Sequence, residues 1–124
     1  METTVTVTQA VSGRVICPRC VVAKTFWARV RGLQFRPPLQ LDDGMLIPRC
    51  PSVHMIGVGF AIDVIFLDAE SRITDYKENL PGGFHIYVAK AGPQLGKPDS
   101  ALELPAGAIA RHELKIGDQL RLEP

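Results

Sequence analysis

Apolar residues in this chain come in short bursts, mostly Val, Ile and Leu, broken repeatedly by glycine, proline or a polar turn. That pattern predicts many brief strands rather than long amphipathic helices. Ile62-Asp63-Val64-Ile65-Phe66-Leu67 is the plainest case: short, β-branched and apolar on both faces, it predicts a central strand. Asp68 to Ser71 predicts a polar turn, with Arg72 to Lys77 as the hairpin partner. Met45 to Ile47 and Ser52 to Ile56 predict strands set apart by breaks at Pro48 and Pro51, and Ala101 to Leu104 and Gln119 to Glu123 predict two more. Gly13 to Ile16 and Val21 to Ala23 read as strand pieces interrupted by Cys17-Pro18-Arg19-Cys20. Residues 1–12 read as an N-terminal strand or tail, ahead of a single β-rich domain over 13–124.

Two short helices complete the pattern. Thr25 suits an N-cap, and Phe26, Val30 and Leu33 recur at helical spacing, which predicts a helix over Phe26 to Arg31 closed by Gly32. Pro105 suits the first turn of a second helix running to about His112. Residues 80–99 are rich in Gly and Pro and predict loop, the most mobile part of the chain. The fold class that follows is mostly β (α+β): a small barrel-like or sandwich-like domain with helices over its open ends.

A chain of 124 residues suits one core, and with aromatics at only 6% that core must be aliphatic. Lys and Arg number 14 against 13 Asp and Glu, which lacks the basic field that nucleic-acid binding requires. Positive charge does thicken from Arg14 to Arg36, read as a solvated surface with an anion patch as the lesser alternative. The first residues lack a secretory pattern, and no apolar run approaches the roughly 18 residues of a membrane span. Three cysteines do not suit a disulfide framework. The expectation is a soluble cytoplasmic protein with neither a nucleic-acid nor a membrane partner.

Several blocks, in order, carry a likeness. Thr25-Phe26-Trp27-Ala28-Arg29-Val30-Arg31-Gly32-Leu33 with Arg36-Pro37-Pro38, then Asp43-Gly44-Met45-Leu46 and Cys50-Pro51-Ser52-Val53-His54, resemble the family catalogued as domain of unknown function 192. Phe60 to Asp68, Glu103-Leu104-Pro105-Ala106-Gly107 and Ile116-Gly117-Asp118 extend the resemblance to about residues 21–123. It implies a small, mostly β, barrel-like domain with no established activity. Where that family usually reads Gly-Met-Arg-Phe-Pro-Ile-Asp, this chain reads Gly57-Val58-Gly59-Phe60-Ala61-Ile62-Asp63, losing a charge and gaining room. The Cys17–Cys20 pair also lies outside the family pattern.

The residues offer a few candidate chemistries. Cys17 and Cys20 in a CxxC, joined by Cys50 and His54, are the residue types of a zinc set, though only the first pair is compact. The favoured reading is no metal and no cofactor, with both CxxC thiols ordinary and near the surface, so that serine at both positions barely alters folding. Cys50, His54 and Asp63 have the types of a nucleophile, base and orienter. Asp63 interrupts an apolar strand and needs a partner, either backbone amides or a ligand. Arg36 reads first as a surface arginine packing its stem on the extended segment, with a guanidinium offered to an anionic group as the alternative, and strand alternation turns Glu103 toward solvent. The expected cleft gathers His54, Asp63, Cys50, Arg36 and Glu103, with His54 and Asp63 on one concave face. The function expected is a non-catalytic accessory domain that binds a small ligand or a protein. A zinc-linked or cysteine-dependent enzyme at the Cys50/His54/Asp63 region is the alternative.

Overall fold

A computed structural model describes residues 3–25, 32–34, 36–90 and 96–124. The helix expected over Phe26 to Arg31 lies outside the described residues. Among the described residues there are nine strands: β1 (Thr3–Gln9), β2 (Val15–Val22), β3 (Asp43–Ile47), β4 (Ser52–His54), β5 (Ile62–Leu67), β6 (Ile73–Leu80), β7 (Ile86–Val88), β8 (Ser100–Pro105) and β9 (Leu120–Glu123). One short helix, α1 (Ala108–Arg111), follows β8. Pro105 ends a strand rather than opening this helix, which spans four residues instead of a longer run.

Seven strands form one sheet in the order β6-β5-β8-β3-β2-β1-β9, and β4 and β7 form a separate ribbon. The β2–β3 pair is parallel and its neighbours in the sheet are antiparallel. An isolated bridge joins Arg72 to Gln119, and Leu120 N–H donates to the Ser71 carbonyl at 3.0 Å. These contacts draw the two edge strands together and curl the sheet into a half-barrel.

Alternation then sorts side chains onto two faces, each with its own core. The inner core takes residues from all seven strands, among them Val7, Ile16, Leu46, Ile65, Ile73, Leu102 and Leu120, and is closed by Ala108 and Ile109 of α1. The outer core joins Met45, Ile47, Val64 and Phe66 to Val53 and Met55 of the ribbon layer and to Leu33. All six residues of β5 are buried, as its two-sided apolar pattern predicts.

Two segments depart from the expected pattern. The chain runs as one strand through Cys17-Pro18-Arg19-Cys20, because the ladder absorbs the proline in a bulge: Val5 pairs with Cys20 and Val7 with Cys17, so β2 carries one extra residue. Residues 1–12 contain β1, which lies inside the sheet between β2 and β9. Among the described residues no helix is long and apolar enough to cross a membrane.

Candidate functional site

The site begins with a row across the outer face. Register places Val21 beside Met45, Met45 beside Glu103, and Glu103 beside Val64. Met45 and Val64 both point into the outer core, so Glu103, sharing their row, points there too. Alternation does set Glu103 opposite Leu102 and Leu104, as the sequence predicts, but the opposite face is covered rather than solvated. Glu103 is only 3% exposed. Among the described residues its Oε1 has no hydrogen-bond partner, and burial pushes its carboxyl up to about 7.

Beside Met45 the chain passes back over the sheet and leaves a cavity of about 210 Å³. Leu33, Arg36, Pro37, Pro38 and Leu39 form one wall, and Val21 and Met45 the other. An ion pair, Arg19 with Asp43 at 3.6 Å, stands at the rim. The prolines hold their segment extended, which keeps the wall off the sheet. Gly32 adopts φ 52°, and a Cβ there would lie 3.6 Å from Glu103 Oε1, so the left-handed residue that turns the chain into this wall also sits over the carboxylate. Gln34 donates to the Ile56 carbonyl at 2.8 Å and fastens the same wall to the loop after β4.

Asp63 is not part of this cleft. It belongs to the inner face at the α1 end and is fully buried. Its Oδ1 accepts the Asn79 amide and its Oδ2 the Ile109 amide, each at 2.9 Å. The first bond takes up an amide at the β5–β6 bulge, where Ile62 pairs with Leu80 but Val64 with Lys77. The second caps α1 from a distant strand, since Gly107 at its N-cap has no side chain to do so. The backbone-amide reading of Asp63 therefore describes its contacts.

His54 lies on the ribbon that covers the outer face. Its neighbour Val53 points down into the outer core, so His54 turns away from the sheet, beside Ile86. Its Nδ1 is buried, with no hydrogen-bond partner among the described residues. Cys50 packs against the outer core and donates its thiol to the Ser52 carbonyl at 2.8 Å. The sheet thus separates His54 and Cys50 from Asp63, so the expected shared face and the nucleophile–base–orienter trio are not assembled.

Cys17 and Cys20 are both fully buried in the inner core, not near the surface. The bulge turns both thiols inward. The hydrogen bond between them lowers the Cys17 thiol pKa and raises that of Cys20, with burial adding to the rise. Cys50 and His54 stand on the other side of the sheet, so the four candidate zinc ligands are split two and two. No group of metal-binding side chains gathers among the described residues.

Asp75 and Tyr87 escaped the sequence reading. Asp75 Oδ2 accepts the Tyr87 hydroxyl at 2.9 Å and the Lys90 amide at 2.8 Å, which ties β7 down over β6. Burial, then the Asp75 bond, push the Tyr87 hydroxyl up to about 12. The Tyr87 ring stacks on Phe66 with centroids 5.9 Å apart. The signal was the β-favouring triplet Ile86-Tyr87-Val88, hidden within a Gly/Pro-rich stretch.

Against known proteins, the model of domain of unknown function 192, described as an uncharacterized ACR, matches residues 6–122. A UPF0127 protein of Thermococcus sibiricus (strain DSM 12597 / MM 739) is 33% identical over 115 residues, spanning 90% of this chain and 70% of that protein. The crystal structure of a protein of unknown function from Novosphingobium aromaticivorans DSM 12444 superposes with a TM-score of 0.75 at 32% identity, covering 97% of this chain and 84% of that one. A Sinorhizobium meliloti 1021 protein, described as a candidate transcription regulator, gives a TM-score of 0.80 at 24% identity, covering 98% and 94% of the two chains. At that identity the likeness speaks for the fold alone.

Proposed function

The chain belongs to the domain of unknown function 192 family, and from that premise we propose that it binds a small ligand in the outer-face cleft, with Glu103 as the recognition group. The observation that carries this reading is a carboxylate, 3% exposed, whose Oε1 has no hydrogen-bond partner among the described residues. Leaving such a group unsatisfied costs roughly 1–3 kcal/mol, which a ligand's donor would offset. The neighbouring cavity, about 210 Å³, falls below the ~300 Å³ of typical drug-sized sites and suits a fragment-sized molecule. Its walls are mostly apolar, the charged groups being Arg36 and the Arg19–Asp43 pair, and Glu103 lies next to it as the register partner of Met45. The ligand class is therefore a small amine, guanidine or amide that carries a short apolar body, its N–H donor meeting Glu103; Arg36, a donor only, can serve just the carbonyl of an amide. Binding is preferred to catalysis because the zinc and cysteine-enzyme alternative draws no support from groups divided by the sheet.

The test is an amide-resolved NMR titration with n-butylammonium, methylguanidinium and butyramide at pH 6 and pH 8. Shifts confined to residues 33–45 and 101–105 are expected. The cations should bind more tightly at pH 8, where Glu103 is ionised, and at least five-fold more weakly to Glu103→Gln. Equal binding by wild type and variant, or no response to any of the three probes, would overturn the reading.

A further inference from the structure

A second hollow, of about 190 Å³, opens where the start of β2, the turn before β3 and the end of α1 meet. Two features there are unusual. First, its floor is the buried Ile16, yet its sides include Val15 and Leu41, which are 48% and 62% exposed, so large apolar side chains are left in contact with water. Second, arginine charge gathers beside it. Arg111 and His112 line the hollow, and Arg14 is close enough, with Arg111, to add to the burial that lowers the His112 pKa. Among the described residues neither Arg14 nor Arg111 is in an ion pair. Asp42 also lines the hollow, but no salt bridge joins it to either arginine.

Arginines outside any ion pair among the described residues and exposed apolar walls are each left unsatisfied, and one kind of molecule relieves both. We propose that this hollow is a binding site for a small amphipathic anion, a short aliphatic carboxylate being the simplest form. Its tail covers Val15 and Leu41, and its carboxylate lies among Arg14, Arg111 and His112. Asp42 disfavours a dianion and leaves room for a single negative charge. The planar, two-pronged guanidinium suits a carboxylate in geometry as well as in charge. The site is separate from the Glu103 cleft and calls for a ligand of opposite charge.

Hexanoate, hexanamide and inorganic phosphate, each titrated into the full chain and followed by amide NMR at pH 7, test the site. Hexanoate should shift amides at 14–16, 41–42 and 111–112 and raise the His112 pKa. Hexanamide and phosphate should each bind at least five-fold more weakly. The double variant Arg14→Gln/Arg111→Gln, with an unchanged melting temperature, should lose at least ten-fold in hexanoate affinity, while Glu103→Gln should lose none. Hexanamide binding as tightly as hexanoate would reduce the hollow to an apolar dimple and overturn the proposal. So would phosphate binding as tightly, or an unaffected arginine variant.

Discussion

Asp63 and Glu103 are both buried carboxylates, and their surroundings give them opposite effects on stability. Asp63 accepts two backbone amides, so Asp63→Ala should cost about 3 kcal/mol by urea unfolding. A loss under ~1 kcal/mol would mean that water replaces the carboxylate at both amides. For Glu103 the folded pKa of about 7 lies above the ordinary 4.5. Below the lower value both states are protonated and there is no penalty. Between the two values the unfolded chain has lost its proton while the folded chain keeps it, so stability falls across that window by about 3 kcal/mol in all and is level above it. Glu103→Gln should therefore match wild type near pH 4.5 and exceed it by roughly 1–3 kcal/mol at pH 8. Equal unfolding midpoints at pH 8 would count against the buried charge. The need for a partner at Asp63 was legible in the sequence, since an apolar strand cannot hold a bare carboxylate. Burial of Glu103 was not, because alternation tells which residues share a face and not whether a second layer covers it.

Strand β2 and the β4–β7 ribbon show what was hard to read among the elements. Proline normally breaks a strand, so Cys17-Pro18-Arg19-Cys20 suggested a gap. The bulge keeps the strand intact and brings both cysteines to the inside. Serine at both positions would place two hydroxyls in an apolar core, and the expected loss is about 2–4 kcal/mol rather than the negligible change first anticipated. The same loss in chelator-treated protein would assign it to packing rather than to metal. Gly44 reinforces the point, because a Cβ there would come within 2.8 Å of Cys17 Sγ, which leaves no slack around the thiol. The ribbon depends on fewer contacts. Tyr87→Phe removes one of two bonds to Asp75 and should cost about 1 kcal/mol. Hydrogen exchange should accelerate at 52–54 and 86–88 while β5 keeps its protection. Uniform acceleration across the sheet would show the ribbon to be inseparable from the half-barrel.

At the scale of the whole molecule, most strands were legible, β7 within the expected loop excepted, and their order was not. Ile62 to Leu67 was read with the bounds it has, and β8 and β9 within a residue. The choice between barrel and sandwich stayed open, because it turns on pairings remote in sequence: β2 with β3 in parallel, and β1 with β9. That last pairing has a consequence for synthesis. Thr6 lies opposite Glu123 and Gln9 opposite Leu120, so β1 finds one of its two neighbours only after the ribosome has released β9. Until then β1 presents an open edge, and the sheet cannot curl shut through Arg72 and Gln119. Nascent chains stalled with residues beyond 115 still inside the exit tunnel should remain sensitive to brief protease treatment. Chains extended by a linker long enough to clear it should become resistant together, in one step. A ribosome making this domain therefore carries it unfinished until β9 emerges, and a chaperone that shields a bare strand edge has that whole interval in which to act.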